Sequence, residues 1–130
     1  MLPSHFGLDG LPNRYAPRSI LWFVFGVSVF VFVLTVIVER YPHTFNLPKP
    51  SGDADRPRLE ALALDFIGWM RLEITCTFAY ILWSIVNVGL HKSAGLGTGF
   101  AFVCLGVVFA TLAYFLWRMK TPPANAKSAI

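Results

Sequence analysis

The sequence predicts an all-α fold, an integral membrane three-helix bundle with an irregular N-terminal cap and an interfacial, amphipathic start to its second helix. Three observations predict it. Residues 19–38, 74–90 and 96–117 are long apolar runs almost free of charge. About twenty apolar residues in a helix cross a hydrocarbon core of roughly 30 Å. Only 14% of the 130 residues are charged, against 55% hydrophobic, where a soluble domain has about 25% charged residues. What lies between the runs is too short to build a separate soluble core, so one membrane domain of residues 1–130 is expected.

Residues 1–18, LPSHFGLDGLPNRYAPRS after Met1, form the cap. Pro3, Pro12 and Pro17 with Gly7 and Gly10 oppose a regular helix, and Asp9-Gly10 and Pro12-Asn13 are turn signals. Residues 19–39 follow as the first membrane helix. Its β-branched and aromatic run, FVFGVSVFVFVLTVIV, would suggest a strand in water. In hydrocarbon a lone strand leaves its backbone groups unpaired, whereas a helix satisfies them internally. Its fifteen Ile, Leu, Val and Phe residues contribute about −5 to −9 kcal/mol together on the insertion scale. A cleaved leader is not expected, because the run is long and lacks small residues at its end.

Residues 40–57 make the long loop. Tyr41 and Phe45 suit a membrane interface. His43 is a titratable group there, and a solvated or capping histidine is its simpler reading. The stretch 49–58 is polar and turn-rich. The second helix takes residues 58–90. Leu59, Leu62, Phe66 and Met70 recur at helical spacing among Arg58, Glu60 and Asp65, a pattern suited to an interface. Arg71 at mid-span would cost about 2.5–3.5 kcal/mol, so Arg71 and Glu73 are expected near the headgroups. The turn HKSAGLG joins it to the third helix, residues 96–118, which ends on Trp117, Arg118 and Lys120. Pro122 and Pro123 stop it, and residues 119–130 form a flexible tail.

Lys and Arg number three on the side of the N-terminal segment and second turn, and eight on the side of the long loop and tail. The bias puts the long loop and C-terminus in the cytoplasm and the N-terminus outside. It also accounts for the net charge of +4 through lipid headgroups, and no nucleic-acid signature is present. Cys76 and Cys104 fall in antiparallel helices at expected opposite depths, which argues against a disulfide.

His5, Asp9, Asn13 and Arg14 converge in the cap. One reading is a ligand or peptide contact site. The other is a folded cap whose polar groups bond its own backbone. A single His and a single Asp make no metal site, and no cofactor is expected. No nucleophile–base set, phosphate loop or pair of membrane carboxylates is recognisable, which argues against an enzyme or a transporter. Gly106 with Ala110, and Thr75 with Ala79, give small-residue steps for close helix packing, and Asn87 is placed to bond across helices.

The segment Leu2-Pro3-Ser4-His5-Phe6, with Gly10, Pro12, Tyr15 and Arg18 ahead of an apolar span, resembles the family called domain of unknown function 1648. The loop YPHTFNLP at 41–48 and the Arg58-Leu59 step are similar to that family as well. The likeness runs to about Trp83. In that family a membrane helix precedes the motif, so a further span ahead of Met1 is expected. Larger relatives join the domain to bacteriocin-immunity and signalling proteins of the SdpI type. The resemblance implies a bacterial inner-membrane protein, with membrane lipids and a peptide, a membrane protein or a second copy as partners. The alternative is a structural subunit packed into a larger complex through its small-residue faces.

Overall fold

The computed structural model describes residues 1–48 and 55–121. The elements run in order as strand β1 (Leu2–Phe6), strand β2 (Pro12–Ala16), helix α1 (Ile20–Glu39), a single 3₁₀ turn (Pro42–Thr44), helix α2 (Asp55–Gly89) and helix α3 (Phe100–Lys120). All three α-helices are long and apolar enough to cross a membrane. The polar stretch 49–54 and the tail 122–130 lie outside the described residues.

The cap is not irregular and the fold is not purely α. β1 and β2 pair antiparallel, with Leu2 opposite Ala16 and Phe6 opposite Pro12. The five residues between them fold tightly. The Gly7 amide donates to the Leu11 carbonyl at 2.8 Å, and the Gly10 amide to the Gly7 carbonyl at 2.9 Å. Gly10 has φ +77°, open to glycine and strained for other residues. Two short runs separated by a Gly-containing turn are a hairpin signal. The prolines obscured it. Proline is incompatible with a helix interior, yet it is tolerated at a strand start or an edge.

α2 is the central helix, with α1 and α3 both packed on it. At about 100° per residue, the residues of α2 that meet α3 and those that meet α1 lie on roughly opposite sides. Phe66, Glu73 and Tyr80 meet Phe115, Thr111 and Phe100 of α3. Arg71, Leu82 and Val86 meet Glu39, Leu21 and Phe25 of α1. The helices therefore form a row instead of a closed bundle. The flanking helices are also staggered. Glu39 ends α1 at Arg71, whereas the end of α3 reaches Arg58. That is thirteen residues along α2, about 20 Å at ~1.5 Å per residue.

The stagger corrects two expectations. Arg71 does stand level with the end of α1, but Glu73 faces the middle of α3, at Thr111. Cys76 and Cys104 are not at opposite depths either. The Cys104 Sγ lies 3.9 Å from the hydroxyl of Thr77, the residue after Cys76. Both thiols are free, and Cys76 is exposed.

Burial is concentrated around α2. Leu59, Leu62 and Ala63 in its first turns are buried, as are Ser84, Ile85 and Val88 near its end. The amphipathic start is thus covered by protein, and it runs straight into the rest of one continuous helix. α1 buries no residue at all. Trp22 and Phe23 are 77% and 68% exposed, and Phe102 of α3 is 68% exposed. Apolar surface of this extent demands an apolar environment or a partner.

Candidate functional site

The hairpin is clamped onto the turn between α2 and α3. The Leu96 amide donates to the Gly10 carbonyl at 2.8 Å. A Cβ on Gly95 would stand 2.1 Å from the Gly10 oxygen, and one on Gly10 would stand 2.3 Å from the Gly97 oxygen. Backbone meets backbone there, and glycine is what permits it. The turn is itself fixed from below, where the Tyr80 hydroxyl donates to the Leu96 carbonyl at 2.9 Å and its ring stacks on Phe100. Pro3 is fully buried, and Leu2 lies against Gly89. α2 ends in a left-handed residue, His91 with φ +57°. The Lys92 amide reaches the Asn87 carbonyl and the His91 amide the Val88 carbonyl, the bond pair of a Schellman motif.

Three of the four cap residues are occupied within the hairpin. His5 Nδ1 and Asn13 Oδ1 are 2.7 Å apart, joining the strands. The Asp9 carboxylate accepts from the Leu11 amide at 3.0 Å, an Asx turn that shapes the loop. Arg14 is exposed and has no ion pair among the described residues. The hairpin also exposes residues that the sequence reading passed over. Leu8 is 78% exposed, Leu11 49% and Tyr15 55%. An alternation count over the hairpin would have found Tyr15, while Leu8 and Leu11 needed the loop geometry. Among the described residues no group of three His, Cys, Asp or Glu is placed to hold a metal ion.

The packing residues behave differently from expectation. Thr75, Ala79, Gly106 and Ala110 are exposed, and a Cβ on Gly106 would meet nothing within 4 Å. Among the described residues, then, Gly106 seats no neighbouring helix. Asn87 donates to the Trp83 carbonyl of its own helix at 2.8 Å, so its amide does not cross to a neighbour. The contacts between helices are made by larger groups.

Two of these contacts are ionic or polar. Arg71 pairs with Glu39 at 2.6 Å, both side chains 25% exposed, and its guanidinium lies 5.5 Å from the centre of the Phe32 ring. The Thr111 hydroxyl of α3 donates to Glu73 Oε1, while Oε2 is buried with no partner among the described residues. At the far end Arg58 donates to the Arg118 carbonyl at 2.6 Å and pairs with Asp55 at 3.0 Å. A cation on the last carbonyls satisfies groups that the helix leaves open. Arg56 pairs with Glu60 at 2.9 Å and reaches the His43 carbonyl at 3.4 Å, so this arginine ties the 3₁₀ turn to α2. His43 contributes its backbone to this end.

Comparisons with protein-family models, curated proteins and solved structures return no match for this chain.

Proposed function

We propose that this chain is an integral membrane protein that holds its hairpin as a partner-binding face outside a bacterial inner membrane, in the manner of immunity or signal-receiving proteins. The observation that carries the reading is the backbone clamp between Gly10 and Leu96. It fixes the hairpin while Leu8, Leu11, Arg14 and Tyr15 stay exposed. A rigid, partly apolar face loses little entropy when a protein or peptide settles on it. The unburied α1 and the three-to-eight distribution of basic residues support the membrane and the orientation. The likeness of the LPSHF stretch to a family linked with immunity proteins supports the class of role.

His5, Asp9 and Asn13 build the hairpin, and Arg14 with Leu8, Leu11 and Tyr15 faces the partner. The triple variant Leu8→Ser, Arg14→Ser, Tyr15→Ser should abolish protection or signalling in a strain that depends on the gene. Its membrane level should stay that of the wild type. Full protection by this variant would refute the reading. The outward positions of Gly106 and Ala110 favour one second reading, a subunit that packs against another membrane protein. Gly106→Leu would then release a stoichiometric partner on purification.

A further inference from the structure

We infer a binding site for the head group of one phosphatidylethanolamine where the end of α1 meets α2. The inference rests on the membrane reading above. A notch of about 410 Å³ opens there, and Glu39 of α1 lines it together with Asp65, Gly68, Trp69, Arg71 and Leu72 of α2. Asp65, Trp69 and Leu72 recur at helical spacing, so they share one side of α2. Gly68 leaves the floor of the notch bare. A Cβ on Gly68 would stand 4.0 Å from Glu39 Oε1, so that oxygen hangs over the glycine. The notch holds more acceptors than its own donors use. Arg71 donates through Nη1 to Glu39 Oε2. Glu39 Oε1 has no hydrogen bond among the described residues, and the Asp65 carboxylate has neither a hydrogen bond nor an ion pair among them. Two carboxylates against one guanidinium leave a negative charge uncompensated, which calls for a cationic group.

The lining groups also follow an order along α2. Glu39 closes the apolar span of α1 at the level of Arg71, so α2 leaves the hydrocarbon as it runs back from Arg71 to Asp65. From the hydrocarbon outward come Leu72, then Arg71, then Glu39 over Gly68, and last Asp65. Asp65 stands six residues from Arg71, about 9 Å at ~1.5 Å per residue. A phosphatidylethanolamine repeats that order as acyl chain, phosphate and ammonium. Leu72 and Trp69, 54% and 55% exposed, meet the start of the chain. A guanidinium has five N–H donors, so Arg71 keeps donors for the phosphate after serving Glu39. The three N–H groups of a primary ammonium donate to Glu39 Oε1 and Asp65, as charge-assisted bonds. A choline head has no N–H to give, and phosphatidylglycerol brings an uncompensated anion to a notch that is already negative.

The test uses the full chain in bilayer discs of phosphatidylethanolamine, phosphatidylcholine and phosphatidylglycerol in equal parts, with native mass spectrometry to count retained lipid. The wild type should keep one phosphatidylethanolamine per chain in preference to both other lipids. Asp65→Asn should lower that preference by roughly 3- to 5-fold, the effect of one exposed ion pair. Gly68→Leu should fill the notch and remove the preference while helix content by circular dichroism is unchanged. Phosphoethanolamine, the head group without its chains, should not displace the lipid at the same concentration. Equal retention of the three lipids by the wild type, or an unaltered preference in Asp65→Asn, would overturn the site. Displacement by phosphoethanolamine would overturn the lipid as its occupant. A chain that stays in water without detergent would instead sink the membrane reading, before any lipid is counted.

Discussion

Glu73 is held between two helices, with a hydrogen bond from Thr111. A carboxylate shut between two helices keeps one oxygen bonded to Thr111 and leaves the other with no partner among the described residues. A hydrogen bond to a charged group contributes about 1.5–3 kcal/mol, and an unpartnered buried acceptor costs a similar amount. Thr111→Val should therefore destabilise the chain by about 2–3 kcal/mol, because the bonded oxygen is orphaned as well. Glu73→Gln should cost less, since the amide oxygen still accepts from Thr111 and the buried charge is removed. Denaturant unfolding in micelles, followed by circular dichroism, gives the comparison; equal losses in both variants would contradict it. The sequence shows Glu73 beside Arg71 and suggests a common headgroup environment for the two. Their neighbours differ because two positions along a helix turn a side chain by about 200°. Periodicity within α2 gives that angle, but only the packing says which helix lies on each side.

Among the elements, the hairpin and the α2–α3 turn act as one interlocked unit. Gly95→Ala would press a methyl group 2.1 Å from the Gly10 oxygen, and backbone cannot swing away as a side chain can. Gly89→Ala meets an atom nearly as close, at 2.2 Å, but that atom is the end of the Leu2 side chain. The first change should undock the hairpin and the second should be absorbed by a rotamer shift. Hydrogen exchange at the Leu96 amide distinguishes them, with protection lost in Gly95→Ala and kept in Gly89→Ala. The helices and their order were legible in residues 19–38, 74–90 and 96–117, because hydrocarbon leaves no other backbone solution for such runs. The hairpin was not, although Asp9-Gly10 marks its turn. A two-stranded ribbon is marginal alone, and its stability here comes from Gly95–Gly97, more than eighty residues away.

At the scale of the whole molecule, both ends are closed by contacts between segments distant in sequence. Gly10 meets Leu96 at one end, and Arg58 meets Arg118 at the other. The row of helices between them exposes apolar side chains, Phe30 on α1 and Phe109 on α3 among them. Alkaline carbonate should leave the protein in the membrane pellet. Single cysteines at Arg14 and Thr121, in a background with Cys76 and Cys104 replaced by Ser, should label from outside and inside the cell respectively. Labelling of both from one side would break the three-span arrangement. That the hairpin shares an end with the second turn follows from counting three spans. The open row does not follow from any count, because it depends on which faces of α2 its neighbours choose. The clamp at Gly10 also sets an order of events. A ribosome makes the hairpin before its seat, with about 4–17 s between Gly10 and Gly95 at ~5–20 residues per second. For that interval the hairpin lacks the backbone that holds it in the finished fold.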